Sequence, residues 1–140
     1  MSDKNRFAGL LELAVGAFLL WGVPHAFAAC GADAHGMFMK CHWSQQAVAG
    51  AGGVAAALGV LHLLLPRAAR AGVDLALAVL GVYVILVPRL FIGVCAHEMM
   101  QCRTYFLPAA TLGGAVLIAL GLTGGTYLLT GGRKVKRYGG

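Results

Sequence analysis

Val73-Asp74-Leu75-Ala76-Leu77-Ala78-Val79-Leu80-Gly81-Val82-Tyr83-Val84-Ile85-Leu86-Val87-Pro88 is a run of aliphatic, small and aromatic side chains with one charge, Asp74. Continued to Val94, it is long enough to cross a bilayer core about 30 Å thick, which takes roughly 20 apolar residues in a helix. Three more runs have this character: Phe7 to Phe27, Ala47 to Leu65 and Phe106 to Leu129. The expected fold is therefore all-α, an integral membrane four-helix bundle. With 59% hydrophobic residues, 11% charged and a mean hydropathy of +0.78, the chain lies outside the soluble globular range. The 140 residues make a single domain, 1–140, with too little chain outside the helices for a soluble domain with its own core. Any function is expected in the helices, their loops or a partner.

Charge sets the expected orientation. Around the run, Arg67 and Arg70 precede it, Lys4 and Arg6 precede the first helix, and Arg133, Lys134, Lys136 and Arg137 form the tail. Only Lys40, Arg89 and Arg103 fall on the other side. This bias places both termini in the cytoplasm and the two remaining loops outside a prokaryotic cytoplasmic (inner) membrane. The net charge of +6 is not gathered into a nucleic-acid surface; the basic tail reads first as a topology anchor, with contact to anionic lipid headgroups of the membrane as the alternative. Lys4, Arg6, the first apolar run and Ala26-Phe27-Ala28 also resemble a signal peptide, a reading weakened by Glu12 within the run.

The run also has a copy. At an offset of 64 residues, Leu11, Leu13, Ala14 and Val15 return as Leu75, Leu77, Ala78 and Val79, and Val23-Pro24 with Phe27 returns as Val87-Pro88 with Phe91. At an offset of 61, Met39-Lys40-Cys41 returns as Met100-Gln101-Cys102, and Gly52-Gly53 as Gly113-Gly114. The proline, the cysteine and the double glycine hold register across separate features, which aliphatic composition alone does not produce. Two duplicated, same-orientation helical hairpins are expected, at about 7–65 and 73–130, related by an axis along the membrane normal. The first helix then corresponds to the third, against its being a cleaved leader.

Polar residues inside the spans are few. Glu12 is costly in lipid if charged; near the cytoplasmic interface it is expected to stay wet or pair with a basic residue such as Arg6. The alternative is an inward Glu12 binding a cation, a proton or His62 of the next helix. His62 by itself reads as a hydrogen-bonded structural residue. Asp74 reads as a carboxylate favoured by the dipole at the start of the third helix, after a turn at 66–72. The second helix carries Ala49, Gly53, Ala55 and Gly59 at close-packing spacing and is expected at the centre. Gly131-Gly132 reads as the end of the fourth.

The two outer loops hold what remains of the chemistry. Cys30 to His42 contains His35, Met37, Met39, Cys41 and His42; Cys95 to Arg103 contains His97, Met99, Met100 and Cys102. Outside the cytoplasm cysteines tend to be oxidised, and these four allow three pairings. The repeat favours pairing within each loop, Cys30 with Cys41 and Cys95 with Cys102, as staples without reactivity. A second reading is a copper site, since thioether, thiolate and imidazole suit Cu(I): His35, Met37, Met39, His42, His97, Met99 and Met100 are its candidate ligands. Methionine also fills apolar gaps. A third reading is an extracytoplasmic thiol-disulfide oxidoreductase. The layout resembles the quinone-coupled disulfide-generating membrane enzymes, but their Cys-X-X-Cys pair is missing.

Met39-Lys40-Cys41-His42-Trp43 ahead of a small-residue helix, Gly93-Val94-Cys95 and Met100-Gln101-Cys102-Arg103 together resemble a family of short prokaryotic four-helix membrane proteins classed as a domain of unknown function. The resemblance spans most of the chain. Members are often encoded near ABC-type export permeases, which implies an accessory role and assigns no catalytic residue. The expected function is thus a non-catalytic subunit or accessory of a larger membrane complex, partnered by another integral membrane protein or by further copies of itself, with no cofactor required.

Overall fold

The computed structural model describes residues 3–26, 36, 40–93 and 102–138, with the main chain alone at 5, 40, 41, 102 and 132–138. Its secondary structure is helical throughout. Helix α1 spans Asp3–Ala17 and continues through a π-helical turn, Phe18–Gly22, into Val23–His25; α2 spans Lys40–Leu64 and α3 Arg67–Leu86, followed by a π turn at Val87–Phe91. A third π turn, Cys102–Phe106, leads into α4, Leu107–Tyr138. All four helices are long and apolar enough to cross a membrane, over Arg6–His25, His42–Leu64, Arg67–Phe91 and Arg103–Gly131.

Proline explains the first π turn. Its ring clashes with the carbonyl four residues back, and its nitrogen has no hydrogen to donate there. A one-residue insertion relieves both problems locally. At Pro24 the Val23 N–H reaches back five residues to the Phe18 carbonyl. Beside Pro88 the Ile92 N–H likewise reaches Val87 at 3.0 Å. Gly93 then takes φ +83, a left-handed conformation that only glycine adopts freely.

The helices close a ring: α1 packs on α2, α2 on α3, α3 on α4, and α4 back on α1, with the α1–α2 and α3–α4 contacts the most extensive. The second helix is therefore one member of the ring rather than its centre. Glycine makes the tight pairs possible in lipid, where close backbone approach and van der Waals packing drive helix association. A Cβ on Gly52 would lie 2.5 Å from the Leu20 nitrogen and one on Gly59 2.7 Å from that of Leu13, while one on Gly16 would overlap the Ala56 backbone. Between α3 and α4, a Cβ on Gly81 would sit 2.6 Å from the Gly114 carbonyl oxygen, and one on Gly121 would overlap that of Asp74. Gly52 rather than Gly53 thus takes the close approach on α2; Ala49 and Ala55 are buried as expected.

Leu19, Val23, Val48, Leu77, Val84, Phe106 and Leu117 fill the ring. Phe7, Leu64, Val79, Leu90 and Leu112 stand exposed on its outside, as a protein solvated by acyl chains requires. On α4, Thr123, Thr126 and Thr130 turn their hydroxyls back to carbonyls one turn earlier, at 2.7, 2.7 and 2.8 Å, so none needs an outside partner.

Three boundaries differ from the sequence reading. Helix α2 starts at Lys40, so Cys41 and His42 belong to its first turn; the early start is anchored by buried Ser44, whose hydroxyl donates to the Gly93 carbonyl at 2.8 Å. Only Leu65 and Pro66 separate α2 from α3, and the stretch from Arg67 to Gly72 is helical, with Pro66 as N-cap residue. Helix α4 continues through Gly131-Gly132 to Tyr138. Glycine costs a helix only about 1 kcal/mol relative to alanine, and the basic residues beyond it suit a helix C-terminus.

Candidate functional site: a buried carboxylate–imidazole cluster

The site lies between three helices, near the end of the bundle that carries the α2–α3 turn. Glu12 from α1, His62 from α2 and Asp74 from α3 are 1%, 3% and 0% exposed. His62 Nδ1 lies 2.9 Å from Asp74 Oδ1, a hydrogen bond, and 3.3 Å from Glu12 Oε2, inside ion-pair distance. One donor atom from each residue falls within 4.8 Å of the others. A protonated Nδ1 carries a single hydrogen, which Asp74 takes. Glu12 Oε2 and Asp74 Oδ2 are buried without a hydrogen-bond partner.

Local sequence builds the space. On α4, Gly124 faces the Asp74 carboxylate, and a Cβ there would come within 2.6 Å of Oδ2. On α1, a Cβ on Gly9 would meet the His62 ring at 3.4 Å and the Leu63 side chain more closely. Gly59 lets α2 approach the backbone at Glu12 and Leu13. All four helices therefore contribute, three by side chains and the fourth by the absence of one.

Arg70, one turn before Asp74 on α3, is also buried, at 3% exposure. Its Nε donates to the Leu65 carbonyl at 2.9 Å, capping the C-terminal end of α2. Its charge also acts on Asp74. With His62 protonated the four groups sum to zero; with His62 neutral one negative charge is left over. Buried charge is tolerated only when paired, so the cluster's protonation or ion occupancy is coupled to helix packing.

The inward arrangement of Glu12, facing His62, is the one found; the wet interfacial position is not, because α1 turns this face onto α2. Asp74 is not at a helix start but in the third turn of α3, so its carboxylate serves the cluster rather than the dipole. Arg70 and Ser44 carried no sequence signal beyond their being polar; the α3 boundary, once placed at Pro66, is what turns Arg70 and Asp74 inward together.

The outer-loop candidates fare differently. His42 is half-buried in the first turn of α2, edge-on to Trp43 at 5.8 Å between ring centroids. Cys41 and Cys102 are placed by main chain only, at the starts of α2 and of the third π turn. Cys30, His35, Met37, Met39, Cys95, His97, Met99 and Met100 lie outside the described residues. Trp21 and Trp43 are exposed, with Trp21 stacked on His25 at 4.2 Å between ring centroids.

No curated protein and no solved structure matches the chain significantly. Residues 12–127, from the cluster's glutamate to the last apolar turns of α4, match a family model, and on that extent the chain belongs to the family described as Domain of unknown function (DUF4418).

Proposed function

We propose that this protein is a non-catalytic subunit or accessory of a larger membrane complex, in keeping with the ABC-type transport assemblies that the sequence resemblance suggests. The observation that carries the proposal is the closure of the two main seams. Backbone contact at Gly16, Gly52 and Gly59 between α1 and α2, and at Gly81, Gly114 and Gly121 between α3 and α4, leaves no room for a substrate path along either. What remains to offer a partner is the outer apolar face and the two cysteine-bounded loops. The proposed orientation has both termini in the cytoplasm and the loops outside, stapled by Cys30–Cys41 and Cys95–Cys102.

Photo-crosslinking from the outer face tests this reading. A benzophenone side chain at Val79, 71% exposed on α3, is expected to give one discrete adduct with a larger integral membrane protein in native membranes. An adduct at twice the chain's mass assigns the surface to further copies of the chain and contradicts a different membrane protein as the partner there. Lipid adducts alone contradict both.

A further inference from the structure

We propose that Glu12, His62 and Asp74 form an intramembrane site for one divalent transition-metal ion of the zinc class. This site uses none of the cysteine-loop residues, and the inference stands independently of the subunit reading. One imidazole nitrogen and two carboxylate oxygens, with no sulfur, form a donor set that suits Zn²⁺, Mn²⁺ or Fe²⁺ and disfavours Cu(I). Ligand atoms sit about 2.0–2.2 Å from zinc, so two ligands of one ion are at most about 4.4 Å apart. The donor atoms here all lie within 4.8 Å of one another, and closing on an ion takes shifts of a few tenths of an ångström.

A second, independent observation points to a ligand: Glu12 Oε2 and Asp74 Oδ2 are fully buried without a hydrogen-bond partner. One hydrogen on Nδ1 cannot serve both carboxylates, whereas an ion between them would. Charge agrees. With a neutral imidazole, the two carboxylates and Arg70, whose Nε donates to the Leu65 carbonyl, sum to one negative charge, which favours a bound cation. Gly124 supplies the clearance at Oδ2 that any larger residue would fill.

The test uses the full chain, purified in detergent, stripped with a chelator and titrated with Zn²⁺ by calorimetry, with elemental analysis of the product. The expected result is one zinc per chain. Glu12→Gln and Asp74→Asn, which keep side-chain shape, should each weaken binding more than about 100-fold, beyond the loss of an outer-shell partner. A variant lacking the four cysteines together with His35, His42 and His97 should still bind. Should the two variants fail to fold by circular dichroism, Co²⁺ added to the unmodified chain decides: weak visible bands without an intense thiolate band support the nitrogen–oxygen site. No stoichiometric ion, binding that follows the loop residues, or a thiolate band overturns the proposal; the first of these leaves a proton as the species the cluster holds.

Discussion

His62 Nδ1 and Asp74 Oδ1 are 2.9 Å apart across the Leu65-Pro66 turn, joining α2 to α3 by a buried hydrogen bond. Glu12 of α1 completes the arrangement from the other side. Replacing His62 by leucine keeps the volume and removes the imidazole placed beside both carboxylates. Breaking one side of a buried charged set costs about 3–5 kcal/mol. His62→Leu is expected to lower the midpoint of detergent-denaturant unfolding by that order; an unchanged midpoint contradicts it.

Glycines differ by what faces them. Gly16→Ala and Gly121→Ala drive a methyl into backbone of the partner helix, and overpacking of this kind costs about 1–3 kcal/mol. Gly50 and Gly131 have nothing within 4 Å of an added Cβ. Alanine there is expected to be neutral or stabilising by about 0.5–1 kcal/mol. Unfolding midpoints of the four variants check the ordering, and equal effects at all four would refute the packing.

Ser44 ties the start of α2 to the chain leaving α3 through its 2.8 Å bond to the Gly93 carbonyl. Its loss in Ser44→Ala is expected to cost about 1 kcal/mol. Gly93→Ala forces a side chain into φ +83, at roughly 1–2 kcal/mol. Because both changes act on one contact, the double variant should lose less than the sum; strict additivity would separate the two residues.

The proposed orientation predicts reporter behaviour. A fluorescent protein fused after residue 138 should be bright and an alkaline phosphatase in its place inactive, because that orientation keeps the basic residues at 133–137 in the cytoplasm. An active phosphatase reverses the assignment.

Peptide mapping of the unreduced protein is expected to recover Cys30 linked to Cys41 and Cys95 linked to Cys102. In the chain-entropy view each small ring contributes about 3 kcal/mol. Links between the loops would contradict the repeat-based pairing, and free thiols at all positions would remove the staples.

The spans were legible because a continuous apolar run of bilayer length has few other readings: Val73 to Val94 and its three companions reappear as the four helices within a few residues. The helix ends were less so. Lys40, Cys41 and His42 look like loop by composition, and the Ser44–Gly93 bond, made 49 residues apart, ties that turn to the chain leaving α3. The cluster was half visible. Glu12 and His62 announce themselves as ionisable groups in apolar surroundings, but Asp74 was masked by an equally good local role, the helix dipole. No local pattern shows that Arg67 rather than Asp74 opens α3, since Pro66 can precede either a loop or a helix. The glycine contacts carry the same lesson: spacing picked out small faces, while the identity of the facing backbone decided that Gly52, not Gly53, makes the approach.

The central structural claim is that carboxylates from α1 and α3 meet at one histidine of α2. A double-mutant cycle between Glu12→Gln and Asp74→Asn, read from unfolding free energies with a chelator present, tests it most directly. Groups sharing one buried partner are expected to couple by at least about 1 kcal/mol. Additive effects, with no coupling beyond error, would mean that the two carboxylates do not share His62, and would contradict the account.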